Sequence, residues 1–131
     1  MWISKEPMKT KEKLSDSEKN DVITQCQPLV ELFKSQYITG NPDKRFDYLI
    51  DVYTKWYQNY LYFCEKIKSE HPNRIKDEYE VKFVRLERTG KDRYDFSYFR
   101  HTGQWFLVTV NLTLKDCMKM MQENPNFQPI G

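Results

Sequence analysis

The stretch Lys44-Arg45-Phe46-Asp47-Tyr48-Leu49-Ile50-Asp51-Val52-Tyr53-Thr54-Lys55-Trp56-Tyr57-Gln58-Asn59-Tyr60-Leu61-Tyr62-Phe63-Cys64-Glu65-Lys66-Ile67-Lys68-Ser69 decides the architecture. Asn41-Pro42-Asp43 precedes it as helix-start punctuation, and His71-Pro72-Asn73 follows it as a stop. Within it Phe46, Leu49, Ile50, Tyr53, Trp56, Tyr57, Tyr60, Leu61, Cys64 and Ile67 recur at steps of three and four, the period of a helical face. The spacing predicts one helix from about Lys44 to about Ser69, roughly 37 Å long at 1.5 Å per residue. Tyr48, Val52, Tyr62 and Phe63 widen its apolar sector, so the helix is expected to meet more than one surface.

On the N-terminal side, residues 1–14 read as a flexible polar arm, Lys-rich and without an apolar run. Ser15 followed by Glu18 is a capping-box signal for a first helix. Val22, Cys26, Leu29, Val30, Phe33 and Tyr37 lie on one of its faces. Pro28 predicts a kink or a fresh start near Gln27, and Gly40 an end. On the C-terminal side a three-stranded antiparallel meander is expected at about Glu78–Arg88, Arg93–Arg100 and Trp105–Leu112. A last helix starts at Thr113, capped toward Asp116, and carries Leu114, Cys117, Met118, Met120 and Met121. Asn124-Pro125 ends it, and the tail holds Phe127 and Ile130. The expected fold is α+β: two N-terminal helices, a three-stranded antiparallel meander and a C-terminal helix, in one domain over residues 15–131.

The turn His101-Thr102-Gly103 sets the faces of the second hairpin. A two-residue loop would put Thr102 at positive φ, which its branched side chain resists. A three-residue loop with Gly103 left-handed pairs Arg100 with Gln104. Tyr94, Phe96, Tyr98, Phe106, Val108 and Val110 then share one face. Asp95, Ser97, Phe99, Trp105, Leu107, Thr109 and Asn111 share the other. The first strand alternates on two phases, Tyr79, Val81 and Phe83 against Val84 and Leu86, which asks for a bulge near Phe83-Val84 or burial on both faces.

At 131 residues the chain is long enough for one core without disulfides or a structural metal. Apolar residues make up 39% and aromatic ones 15%, so few, large side chains supply the buried area. The polar mean hydropathy and the lack of a run of about 20 apolar residues speak against a membrane span. Met1 to Lys13 does not read as a secretory signal. Cys26, Cys64 and Cys117 are odd in number and widely spaced, which points to reduced core thiols in a cytoplasmic protein. No CxxC or HxxxH pair suggests zinc, and no metal or cofactor is expected. The net charge of +2 is spread evenly: blocks 1–20, 41–77 and 78–112 each carry one more basic than acidic residue.

Candidate chemistry is sparse. His101 sits at a turn beside Arg100, and His71 reads as a helix stop. Glu80, Glu87, Asp92 and Asp95 read as surface charge, and Cys117 as helix core. Thr89-Gly90-Lys91 is too short for a phosphate loop. The hairpin residues Arg85, Arg88, Arg93 and Arg100, near Tyr94 and Tyr98, could hold a single strand of nucleic acid, but Glu87, Asp92 and Asp95 dilute them. The methionines of the last helix could form an adaptable contact surface. Phe99, Trp105 and Leu107 cluster near the hairpin turn, either covered by a helix or by the tail with Phe127 and Ile130, or exposed for a partner.

From Phe46 to Glu123 the expected order helix–strand–strand–strand–helix resembles a double-stranded-RNA-binding domain. The final helix, Leu114-Lys115-Asp116-Cys117-Met118-Lys119, lacks the basic cluster that family places at its start, and the preceding helix is too long. The strand Gly103-Gln104-Trp105-Phe106-Leu107-Val108 is similar to the Gly-x-Trp strand of nuclear-transport-factor-2-like cone folds. Neither likeness carries a function across.

Three functions compete on this reading. The first is a non-enzymatic interaction or adaptor domain that self-associates or binds a protein through Phe99, Trp105, Leu107, Tyr48, Val52, Tyr62 and Phe63. The second is a small-ligand-binding or enzymatic domain with a pocket between the long helix and the sheet. The third is a weak nucleic-acid-binding module built on Arg85, Arg88, Arg93 and Arg100.

Overall fold

The computed structural model describes residues 13–129. Asp16–Tyr37 forms helix α1, followed by strands β1 (Tyr48–Tyr57), β2 (Tyr60–Lys68), β3 (Glu78–Gly90), β4 (Arg93–Phe99) and β5 (Trp105–Leu112), helix α2 (Leu114–Glu123) and a 3-10 turn at Pro125–Phe127. The chain is α+β, and its strands make one antiparallel meander in the order β1-β2-β3-β4-β5.

The long helix expected over residues 44–69 is replaced by the hairpin β1–β2. The chain reverses at Gln58-Asn59, with Gln58 at a φ of 53° and Tyr57 paired with Tyr60. The meander therefore has five strands rather than three, and the described residues hold one helix before it rather than two. The order that resembled a double-stranded-RNA-binding domain goes with that correction. Helix α1 runs unbroken through Pro28, which is exposed, so water can serve the carbonyl that the missing N–H leaves open. The helix ends at Tyr37, before Gly40. Its cap is as expected: Ser15 Oγ accepts from the Glu18 N–H at 3.1 Å. Thr113 caps α2 in the same way through the Asp116 N–H.

Gly103 has a φ of 85°, and the Arg100 N–H donates to the Gln104 carbonyl at 2.9 Å, so the three-residue loop holds. Farther along β5 the expected faces do not. The register slips between Phe96 and Ser97, pairing Phe96 with Thr109, and again before Leu112, where Asn111 takes a φ of 59°. These irregularities turn Thr109 toward the Phe96 side and leave Val110 51% exposed. Strand β3 is bulged at Phe83, where the pairing jumps from Phe63–Val84 to Cys64–Lys82, the bulge alternative for that strand.

One face of the sheet carries Leu49, Val52, Leu61, Phe63, Ile67, Val84, Leu86, Tyr94 and Phe96. These form a single buried cluster with Val22, Cys26, Leu29, Val30 and Phe33 of α1, Leu114, Cys117 and Met121 of α2, and Phe127. Trp56 ties β1 to α1 by donating from Nε1 to the Lys19 carbonyl at 3.2 Å. Val52 and Phe63, expected on a partner surface, are fully buried here, because a hairpin sends alternate residues inward. Residues 1–12 of the expected arm, and Ile130 of the tail, lie outside the described residues.

Arg88 reaches through this core. It is 1% exposed, and it donates from Nε to Glu18 Oε2 at 3.0 Å and from Nη2 to Glu18 Oε1 at 2.9 Å. This two-pronged pair fastens the first turn of α1 to β3. Replacing Glu18 with Gln keeps the size and removes the charge facing a buried guanidinium. Urea denaturation should find Glu18→Gln about 2–3 kcal/mol less stable than the parent. A loss below about 0.5 kcal/mol would show a pair no more useful than an exposed one.

Candidate functional site

The side chains that alternate away from the core form the outer face: Tyr60, Tyr62 and Cys64 on β2, Glu80, Lys82, Arg85 and Glu87 on β3, Asp95, Ser97 and Phe99 on β4, Trp105 and Leu107 on β5. The pairings Tyr62–Arg85, Arg85–Ser97, Ser97–Leu107 and Phe99–Trp105 line these residues up across four strands. Small Ser97 lies in the middle and leaves room above it. Trp105 leans over from β5 until its ring centroid is 5.9 Å from that of Tyr62 on β2, and Phe99 meets it edge-on at 5.3 Å. Ser97 is buried although it belongs to the outer face.

Arg85 sits in the middle of these rings. Its guanidinium carbon is 4.7 Å from the Trp105 ring centroid and 5.1 Å from that of Tyr60. Lys82 Nζ lies 5.6 Å from the Tyr62 ring centroid. Among the described residues no carboxylate pairs with Arg85. Its stem and ring partners hold the cation in place while its N–H donors keep their capacity for an incoming acceptor. Leu107 is 54% and Phe99 40% exposed, so the cluster has an apolar flank open to water.

Beside it the same face is closed by a polar network. Glu80 accepts from Lys55 Nζ and Lys82 Nζ, each at 3.0 Å, and from the Tyr53 hydroxyl. Cys64 is fully buried on this side. Burial raises the Glu80 carboxyl, but the hydrogen bonds from Lys55, Tyr53 and Lys82 outweigh it and hold the pKa at about 2. Burial pushes the thiols of Cys26, Cys64 and Cys117 up to about 12, which keeps them protonated and poor nucleophiles.

A cleft of about 630 Å³ opens at the turn end of the β4–β5 hairpin, on the core side. Phe83, Tyr98, Arg100, His101, Pro125 and the buried Glu65 line it. It holds a carboxylate and an imidazole but no Ser, Thr or Cys among its described lining residues. The helix over residues 44–69 that was to form the pocket of the ligand-binding reading is instead the hairpin β1–β2.

The structure thus brings together four of the expected partner residues: Phe99, Trp105, Leu107 and Tyr62. Val52 and Phe63 are core, and Tyr48 stands apart at the start of β1, where its hydroxyl donates to Glu70. The basic hairpin residues do not share a surface. Arg85 is on the outer face, Arg88 is buried beneath α1, Arg93 donates to the Asp92 carbonyl at the exposed turn, and Arg100 lies over the Phe106 ring at 4.9 Å. Sequence reasoning grouped Arg85 with the hairpin cations and missed its place among the rings. Tyr60 was missed because it was placed on a helix.

Residues 14–129 match the family described as a domain of unknown function, DUF3024, and the chain belongs to that family. No curated protein and no solved structure matches it.

Two measurements check the electrostatics of this face. The pKa of Glu80 is depressed in the fold, so its contribution is present above its unfolded value and disappears as pH falls from about 4.5 toward about 2. Glu80→Gln should therefore flatten the stability–pH curve across that window; an unchanged curve would mean that the network does not form in solution. At about pH 8 a thiol reagent should leave the native protein unmodified and titrate all three cysteines after denaturation. Rapid modification of Cys64 in the native state would show that the cover over it opens.

Proposed function

We propose that this chain is a non-enzymatic interaction module whose outer sheet face docks a protein segment, with Arg85 as the anchor for a carboxylate of that segment. One observation carries the reading: Tyr60, Tyr62, Phe99 and Trp105, from three different strands, form a ring cluster in which Arg85 lies against Tyr60 and Trp105, on the face that neither described helix covers. Trp, Tyr and Arg are the residue types most enriched among interface hot spots. An arginine already ordered between two rings gives up little rotamer freedom when it binds, and its fork matches a carboxylate.

Charge favours a protein segment over a nucleic acid. Glu80, Glu87 and Asp95 lie on the same face and would repel a run of phosphates laid across it, whereas a single carboxylate at Arg85 meets a cation that no described carboxylate pairs with. A base-stacking platform needs free ring faces. Here Arg85 takes one face each of Tyr60 and Trp105, and Lys82 one face of Tyr62.

The test is a set of short synthetic peptides with a common apolar core flanked by acidic, basic or amide residues, titrated against the labelled protein. Acidic peptides should bind best. Arg85→Gln and Trp105→Ala should each weaken them at least about tenfold, or about 1.4 kcal/mol, with the fold intact by circular dichroism. Equal binding of all three sets, or indifference to both substitutions, would overturn the reading. Sub-micromolar binding of a single-stranded oligonucleotide with a steep salt dependence would turn it toward nucleic acid.

A further inference from the structure

We infer that β5 is a self-pairing edge: two copies of the chain join β5 to β5 antiparallel across a two-fold axis, extending the sheet through both molecules. The inference rests on the edge strand and stands apart from the docking of a peptide on the outer face.

An edge strand presents unpaired N–H and C=O groups, and proteins guard such edges with charge, proline or a covering element. Trp105-Phe106-Leu107-Val108-Thr109-Val110-Asn111-Leu112 has neither a charged residue nor a proline. Among the described residues β5 pairs only with β4. Its bulges twist it without adding charge. The Arg100–Gln104 bond fixes the alternation of the ladder, so Phe106 turns its backbone groups toward β4 while Trp105 and Leu107 turn theirs to the open edge.

A second copy is the fitting occupant. Antiparallel pairing about a two-fold axis sets a strand against itself, so any charge near its middle would face a like charge; β5 has none. A register that sets Leu107 of each copy against Val110 of the other joins two outer-face residues that are 54% and 51% exposed. Phe106, 45% exposed, adds to the opposite side. These side chains and the half-buried Trp105 offer roughly 300–400 Å² per copy, about half of what a standard interface buries, so the dimer belongs to the weak, concentration-dependent class.

Sedimentation of the full chain from about 1 μM to several hundred μM should show a reversible monomer–dimer equilibrium. Leu107→Lys and Val110→Glu should each raise Kd at least about tenfold, and the Leu107→Lys/Val110→Glu double variant should return it to within about threefold of the parent by pairing opposite charges. Amide exchange at Trp105 and Leu107 should slow with concentration, a readout that needs no substitution. A monomer at every concentration, a dimer indifferent to all three variants, or amide exchange independent of concentration would overturn the inference. A dimer that appears only after deletion of residues 1–12 would overturn it in favour of that segment as the occupant of the edge.

Discussion

Five antiparallel strands spaced about 4.8 Å apart make a sheet roughly 20 Å across. A helix with its side chains is about 10 Å wide. The two described helices are therefore enough for one face and leave nothing for the other. Helix α1 takes the β1 side of that face, and α2 with its 3-10 turn takes the side of β4 and β5. The pair between Glu18 and the buried Arg88 fixes the near end of α1 against β3. Everything distinctive about the outer face follows from this shortage of cover: its residues must settle their own polar and apolar demands, side chain against side chain.

They do so in two ways, and the difference separates structure from site. Around Cys64 the solution is electrostatic. Glu80 accepts from two lysines and a tyrosine, three of the about four bonds a carboxylate can take. Around Ser97 the solution is aromatic. Trp105, Tyr62, Phe99 and Tyr60 lean together, and Arg85 fills the gap between rings. An exposed cation–ring contact contributes only about 0.5–1 kcal/mol, and an aromatic pair a similar amount, so no single contact locks this half. It is ordered enough to present a shape and weak enough to exchange contacts with a partner. A carboxylate held by two lysines and a tyrosine cannot rearrange in that way without losing bonds it already has.

What the sequence disclosed depended on whether local chemistry had one reading or two. Ser15, Thr113 and Gly103 each carry a specific stereochemical demand, and each sits where that demand places it. The stretch from Lys44 to Ser69 carries too many apolar residues for periodicity to decide, because a run that is apolar at more than half of its positions can satisfy the helical and the strand period together. Its aromatic and β-branched content, Tyr48, Val52, Tyr53, Thr54, Trp56, Tyr57, Tyr60 and Tyr62, was the better guide. The reversal at Gln58-Asn59 has no glycine or proline to announce it. Bulges obscured the rest: strict alternation misplaced Thr109 and Val110 on β5, and on β3 the phase change at Phe83 was visible but had two explanations. The site followed suit. Phe99, Trp105 and Leu107 came from the well-read hairpin, whereas Val52 and Phe63 came from the misread one and proved to be core.

The two edges of the sheet are built differently, and the contrast bears on how the fold is used. The β1 edge carries Asp51 and Lys55, a bulge between Leu49 and Asp51, and an ion pair in which Lys34 of α1 approaches Asp51 at 3.4 Å. Charge, irregular pairing and a neighbouring helix are the means by which proteins keep an edge from recruiting another strand. Among the described residues β5 has irregular pairing and α2 nearby but no charge of its own, and the side chains that flank it include Trp, Phe, Leu and Val. General solubility would ask for the same treatment at both ends of one sheet. An apolar edge continuous with the Trp105 cluster instead joins Phe99, Phe106, Leu107 and Val110 into one run of exposed apolar side chains, the arrangement expected where contact with other chains takes place.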